Sequence, residues 1–347
     1  MFVLTYEDIL SHARERSSKC KACAECNGLA CRGMVPGPGG KGSGKSFIAA
    51  VEYFKNIDVM MDPVYDNRAG QELKCELFGV ELSMPVMAAP CGGAQFNYGV
   101  SVELMDDRAF VLGMTEGARR AGTIGWIPDG PGNMGISAYL DVARQLGGLA
   151  IPTLKPWSNE VLLPLIRAAE SYKVPAIACD VDSAGLVNLK LMGTPVDPKS
   201  PEELRELCEA ASLPFIVKGL VTPRAALLAA DAGAAAIVVS NHGGRIIEDA
   251  PAPISMLSSI RAAVGSRVKL IVDGGVRTGG DVFKALALGA DAVLIGRPVC
   301  TASIGGGAEG VALYLERIKG ELRDCMLMTG CHSIADITVE KIRNRNT

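Results

Sequence analysis

From residue 84 onward the chain repeats one pattern eight times: a short apolar run, a loop, then a segment whose apolar residues recur at the helical period. The apolar runs are Val86–Ala89, Thr123–Ile127, Leu149–Thr153, Ala176–Asp180, Phe215–Lys218, Ala236–Ser240, Leu270–Asp273 and Ala292–Gly296. Their near-continuous apolar character is that of strands buried on both faces. The helical period predicts helices over Val102–Arg120, Ser137–Leu146, Asn159–Tyr172, Pro201–Ala211, Pro223–Ala232, Ala252–Val264 and Gly280–Leu288, and a last helical region over Glu309–Met328. Several of these open on Ser, Asp or Pro, which suit a first turn. Parallel strands must be joined by crossover segments, so eight such units predict an α/β fold, a closed (β/α)8 TIM barrel over 84–347. An open doubly wound sheet is the fallback.

Residues 1–83 read differently, as an N-terminal helical, Cys-rich extension. A polar helix is expected over Tyr6–Arg16, then a cysteine cluster, the Pro/Gly-rich stretch Val35–Gly44, a helix over Phe47–Phe54 and a hairpin around Glu72–Leu82. The 347 residues are 48% hydrophobic and 21% charged, enough for a large core, and 35 basic against 38 acidic residues leave a net charge of −3. That balance argues against a nucleic-acid or polybasic membrane surface, which needs clustered positive charge. No apolar run approaches the ~20 residues of a membrane span. The opening MFVLTYEDIL lacks a basic n-region, so a soluble, cytoplasmic protein is expected. Of 11 cysteines, Cys75, Cys91, Cys179, Cys208, Cys300, Cys325 and Cys331 are scattered singly, as core residues often are.

Barrel chemistry sits at the C-terminal ends of the strands. The polar residues there are Lys155, Asp180, Asp182, Lys218, Ser240, His242, Arg245, Asp273, Arg277 and Arg297. Any one alone is most simply a loop residue, but their convergence on one face points to a site. Asp273-Gly274-Gly275-Val276-Arg277 and Gly296-Arg297 follow strands seven and eight, the usual barrel phosphate position; glycine admits backbone N–H groups to an anion and arginine adds bidentate charge. His242 lies in a Gly-flanked loop beyond a strand end, where an imidazole can accept a proton near neutrality and a carboxylate such as Asp182 would stabilise the imidazolium.

The stretches VVSNHGGR, VDGGVRTGGDVFKALALGA and IGRP, with PVMAAP, PFIVKG and MLMTGC, resemble the FMN-dependent α-hydroxy acid oxidases and dehydrogenases over about Met84–Thr338. That resemblance implies an FMN oxidoreductase that oxidises a small 2-hydroxy acid, lactate- or glycolate-like or larger. It implies that His242 takes the hydroxyl proton as the α-hydrogen passes to flavin N5, that Asp182 orients His242, that Arg245 holds the substrate carboxylate, and that Lys218 stabilises charge on the reduced ring. It implies an FMN site of Pro90, Cys91, Gly92, Thr153, Asp180, Lys218, Ser240, Asp273, Gly274, Gly275, Arg277, Gly296 and Arg297. A homo-oligomer, a tetramer, is implied as well.

Departures from the family pattern concern the substrate. A tyrosine expected before the first strand is replaced by PGPGGKGSGKS, one after strand three by Pro152-Thr153-Leu154-Lys155-Pro156-Trp157, and an arginine after strand four by SAGLVNLK. Lys155 is the candidate substrate-binding replacement, with Lys190 a second. Asp180 either recognises an amine or hydroxyl or pairs with Lys155. The segment Ser183–Lys199 is short, which argues against a long substrate-covering lid.

Cys20-x2-Cys23-x2-Cys26-x4-Cys31 lies outside the family pattern. Three cysteines spaced by two resemble an iron–sulfur ligand run, whereas structural zinc usually pairs two Cys-x2-Cys units across a longer loop. Iron–sulfur is the first expectation, zinc and no metal are the alternatives, and Cys31 is the least certain of the four ligands. A cluster near the flavin would release electrons singly, to a ferredoxin or another electron-transfer partner. Gly39–Ser46 satisfies the Walker A pattern, but MVPGPGG is not the buried strand that motif requires; a loop packing over the barrel mouth is the better reading. Two other functions stay open: a reductase of an unsaturated or keto substrate driven by NAD(P)H or ferredoxin, and a flavin and iron–sulfur redox sensor.

Overall fold

The computed structural model describes residues 4–132 and 135–345. Eight parallel strands close into a barrel: β1 Val86–Ala88, β2 Gly125–Ile127, β3 Ala150–Leu154, β4 Ile177–Asp180, β5 Phe215–Leu220, β6 Ala236–Val239, β7 Lys269–Val272 and β8 Ala292–Ile295. Closure is made by β8 on β1, with Val293, Leu294 and Ile295 opposite Val86, Met87 and Ala88. All eight predicted runs become strands, within two residues at each end.

The barrel interior shows why the runs are apolar throughout. Trp126, Met87, Ile151, Ile216, Val238, Ile271 and Leu294 fill the lumen against small partners, Ala176, Ala178, Ala236 and Ala292. Large beside small is how a closed sheet packs its taper. The hairpin Cys75–Leu77/Val80–Leu82 adds Leu77 and Leu82 to this same cluster, so it covers the end opposite the site. Alternate strand residues face outward into a second core under the helices.

Helix boundaries follow their caps. The apolar periodicity suggested a helix from Val102, but it begins at Asp107, because the Asp106 carboxylate accepts from the Ala109 N–H 2.6 Å away and fixes the start. Val102 and Leu104 are left exposed. Thr5, Ser200 and Thr278 each form reciprocal capping boxes. The last helical region is longer than expected, Arg297–Met328, two helices meeting at Gly307, whose φ of 55° breaks the run. Three consecutive glycines, Gly305–Gly307, hid its first half in the sequence.

The extension wraps the barrel. Helix Tyr6–Arg16 packs on the Arg297–Met328 helix, with Arg16 Nη1 donating to Ile304 O at 2.9 Å. Strand Ile57–Val59 pairs antiparallel with Ile342–Asn344, tying the two ends of the chain together. Between these, residues 37–46 cross the C-terminal mouth: the Lys41 N–H donates to Gly244 O at 2.8 Å, and Ser46 Oγ to Ala250 O at 2.7 Å. Loop Gly39–Ser46 is therefore a roof. Its Lys45 turns outward to Asp249. No helix among the described residues is long and apolar enough to cross a membrane.

Candidate active site

The floor of the mouth is built on Asp180, the last residue of β4, almost wholly buried. Its Oδ2 accepts from Lys155 Nζ at 2.8 Å and its Oδ1 from Lys218 Nζ at 2.9 Å. Lys155 also donates to Ser183 Oγ at 2.9 Å, and Lys218 lies 3.6 Å from Asp273 Oδ2. Burial pushes the Asp180 carboxyl up, but His242, Lys155 and Lys218 together outweigh it and hold it well below the usual carboxylate range. Lys218 is held above its usual range for the matching reason: burial lowers it, and Asp180, Asp273 and Asp182 prevail. Buried charges of this kind persist only when paired.

Above the floor stands His242. It adopts a left-handed backbone conformation, φ 57°, rare for a residue with a side chain, and Gly243 and Gly244 continue the left-handed turn. At Gly244 a Cβ would come within 2.6 Å of Phe47 N, so the roof requires glycine there. The His242 N–H donates to Ser240 Oγ at 3.0 Å. His242 Nδ1 lies 2.9 Å from Asp182 Oδ1 and 3.6 Å from Asp180 Oδ1. Asp182 reaches this position because Gly219 leaves the space; a Cβ there would stand 2.4 Å from Asp182 Cγ. With a carboxylate accepting at Nδ1, that nitrogen carries the proton and Nε2 is the acceptor. Burial raises the Asp182 carboxyl, with His242 opposing and Asp180 reinforcing. Two carboxylates two residues apart are thus driven in opposite directions.

Arg245 enters from the same turn, donating from Nη1 to Gly37 O at 2.6 Å and from Nη2 to Asn97 Oδ1 at 2.9 Å. Burial and the neighbouring Arg297 lower it to about 10, so it stays cationic at neutral pH. Arg297 is anchored to the roof by Pro38 O at 2.6 Å and Gly39 O at 2.9 Å, and stacks on the Phe47 ring. Arg277 donates from Nε to Cys26 O at 2.6 Å.

These groups surround one cavity. His242, Lys218, Arg245 and Lys155 line it, as do Pro90, Cys91 and Gly92, and at the far end Asp273, Gly274, Gly275, Arg277, Gly296 and Arg297. Thr153, Asp180 and Ser240, expected as cofactor contacts, lie outside the lining and are almost wholly buried; Asp182 also stands behind it, backing His242. Lys155, expected against substrate, spends two of its three protons on Asp180 and Ser183. Lys190 is largely exposed and outside the lining. Among the described residues two carboxylate oxygens are buried without a hydrogen-bond partner, Asp182 Oδ2 behind the cavity and Asp273 Oδ1 on its lining. An unsatisfied acceptor beside glycine turns and two arginines suits a ligand carrying hydroxyls and an anionic end.

Sequence reasoning missed several lining residues. Asn97 and Tyr98 sit on the single-turn π-helix Ala94–Tyr98, and Asn97 binds Gly92 O, Asn188 and Arg245. Glycines at 92, 93 and 99 around them were the available signal. Leu186, Asn188, Leu189 and Met192 also line the cavity, so the short segment Ser183–Lys199 does cover the mouth, through the helix Val187–Leu191. Asp129 lines the cavity as well and accepts from the Lys155 N–H and Trp157 Nε1.

A family model described as FMN-dependent dehydrogenase matches residues 187–344. An L-lactate oxidase of Roseobacter sp. (strain GAI101) is 46% identical over 146 residues, 42% of this chain and 40% of that protein. The 4-hydroxymandelate oxidase of Amycolatopsis orientalis is 47% identical over 137 residues, 40% of this chain and 38% of the relative. The matched segment thus spans about 40% of the length of these curated relatives. The likeness in three dimensions is wider. A solved mandelate oxidase with a monooxide FMN adduct is 30% identical with a TM-score of 0.72, covering 88% of this chain and 93% of that one. Another, with (S)-2-phenylpropionate, has a TM-score of 0.76 at 26% identity and covers 99% and 98%.

Proposed function

We propose, for a chain that belongs to the FMN-dependent α-hydroxy acid oxidase family, that the barrel mouth binds FMN and dehydrogenates a small 2-hydroxy acid. The residues present fit the cofactor. Gly274, Gly275 and Gly296 with Arg277 and Arg297 would hold its phosphate, Asp273 Oδ1 would accept from a ribityl hydroxyl, and Pro90, Cys91 and Gly92 would border the ring. When bound, the flavin supplies the hydride acceptor.

The chain's own residues supply placement and proton transfer. Arg245, cationic and fixed at two points, would hold the substrate carboxylate by charge-assisted hydrogen bonds. His242 Nε2 takes the proton of the α-hydroxyl. The imidazolium so formed has Asp182 at 2.9 Å and Asp180 at 3.6 Å from Nδ1, so the charge arrives where two carboxylates already face it. Lys218, fixed by Asp180 and lining the cavity, would supply positive charge to the reduced ring. The observation that carries the proposal is the His242–Asp182 pair opening onto a cavity shared with Lys218 and Arg245.

The stretches PGPGGKGSGKS and Pro152–Trp157 stand where the family carries tyrosines, so the acid accepted is expected to differ from lactate or glycolate in its α-substituent. Homo-oligomerisation, drawn from the family likeness, belongs to the same proposal and is read by sedimentation. The four thiols Cys20, Cys23, Cys26 and Cys31 are read as ligands of an iron–sulfur cluster. Among the described residues no three of them come mutually within 4.8 Å.

The test is an anaerobic titration of the FMN-loaded protein with a panel of 2-hydroxy acids, followed by flavin absorbance, with NAD(P)H added to a separate sample. Bleaching by a hydroxy acid is expected. Bleaching by NAD(P)H alone would replace this proposal with the reductase.

A further inference from the structure

The cysteine segment and the flavin site are separated by a wall one side chain thick. Cys20, Cys23, Cys26 and Cys31 face a small cavity whose inner wall is Pro38, Tyr98, Arg297 and Thr301. Tyr98 and Arg297 present their other sides to the barrel-mouth cavity. All four cysteines are free thiols, none wholly buried.

The segment is also held rigidly, from both ends of the flavin site. Arg277, at the phosphate end, takes Cys26 O at 2.6 Å, and Arg297 takes Pro38 O and Gly39 O. Gly39 lies so close to the cysteine loop that a Cβ would stand 1.9 Å from Cys31 O. Within the loop, the left-handed Ala22, φ 40°, turns its N–H to Cys20 Sγ at 3.4 Å. Backbone N–H donation of this kind is what a thiolate ligand requires.

We propose that Cys20, Cys23, Cys26 and Cys31 hold an iron–sulfur cluster that takes electrons from the flavin one at a time and passes them to a one-electron carrier protein. The inference rests on the dehydrogenase reading for the source of the electrons, and on the shared Tyr98/Arg297 wall for the route. Electron tunnelling falls exponentially with distance, so a wall of one side chain favours passage to the cluster. The balance closes. One 2-hydroxy acid loses two electrons and two protons to become the 2-oxo acid; two oxidised carriers each gain one electron; the two protons go to solvent, one of them through His242.

The test uses the full chain, purified anaerobically with FMN. About four iron atoms per chain are expected; zinc, or no metal, overturns the proposal and leaves the dehydrogenase reading untouched. In a first arm, a 2-hydroxy acid is mixed in and the sample frozen. The expected result is an electron paramagnetic signal of reduced cluster alongside bleached flavin, both absent in His242→Ala. Bleached flavin beside a cluster left oxidised overturns the relay alone. In a second arm, a light flash reduces the flavin without substrate, the electrons coming from an added sacrificial amine donor such as EDTA. Electron passage to the cluster at a rate independent of protein concentration is expected, and its absence overturns the relay. Success here with failure of every hydroxy acid in the first arm sinks the dehydrogenase reading while the relay stands. Cys23→Ser is expected to lose the cluster signal with FMN content retained; should that variant fail to fold, the two wild-type arms decide.

Discussion

The C-terminal half of the barrel and the N-terminal extension meet across a single cavity, yet they carry different kinds of information. The half from residue 187 to 344 matches the family model and contributes Lys218, His242, Arg245, Asp273, Arg277 and Arg297. The extension contributes backbone: Gly37, Pro38 and Gly39 present carbonyls to Arg245 and Arg297, and Cys26 presents one to Arg277. The side chains proposed for proton transfer and cofactor charge thus follow strand ends, while the roof meets the same arginines through backbone carbonyls and the Phe47 ring. A site divided this way can keep its chemistry while its cover, its substrate and its route of electron exit change.

The largest effect expected comes from the barrel side. His242→Ala should slow hydroxy-acid bleaching of the flavin by roughly 10²–10⁴-fold, the usual range for a general base, with FMN content unchanged by absorbance. Equal rates in the two proteins would move the base elsewhere. Asp180→Asn removes one partner from a buried network and should destabilise the fold by about 3–5 kcal/mol in denaturant titration. The pH dependence sharpens this result. Asp180 is held below the usual carboxylate range, so its contribution is fully present above an aspartate's ordinary pKa of about 4 and is lost as pH falls toward the folded value. Asp182, raised by burial, acts in the opposite sense: its contribution is present at low pH and is lost as pH rises through its folded value. Asp180→Asn should therefore flatten the acid loss of stability, and an unchanged acid limb would show that Asp180 is not the group responsible.

Arg245→Lys bears on the seam between the two regions. The variant keeps a cation but cannot hold Gly37 O and Asn97 Oδ1 together in one planar fork, so KM should rise about 10-fold or more, as expected when a charge-assisted hydrogen bond of roughly 1.5–3 kcal/mol is lost, with kcat changing less. A larger fall in kcat than rise in KM would place Arg245 in proton transfer instead. The smallest effect belongs to the roof. Lys45→Ala should change neither FMN content nor turnover, because Lys45 faces outward to Asp249. Lost activity there would revive a phosphate role for the Gly39–Ser46 loop.

How much of this was legible in the sequence follows the same division. The eight strands announced themselves because burial on both faces leaves an uninterrupted apolar signature. His242 and the two glycine–arginine turns were visible because polar residues at apolar strand ends have no other reason to gather. What stayed hidden was set by tertiary contact. The pairing of Asp180 with Lys155 was one of two readings the sequence offered and the structure contains it, but the second partner, Lys218, comes from β5 and could not be read before β4 and β5 were neighbours. Asn97 gave no local sign that it would meet Arg245 across 148 residues. The Ser183–Lys199 segment was read only as too short for a long lid, and nothing in it announced that its five-residue helix Val187–Leu191 would line the cavity.

The central claim is that His242 removes a hydroxyl proton from a 2-hydroxy acid as its α-hydrogen leaves for the flavin. It is tested most directly by stopped-flow mixing of the anaerobic FMN-loaded protein with whichever acid bleaches it, protonated or deuterated at the α-carbon. The deuterated acid is expected to bleach the flavin several-fold more slowly at saturating concentration. Identical rates under conditions where bleaching itself is observed would mean that the α-C–H bond is not broken in the observed step, and would contradict it.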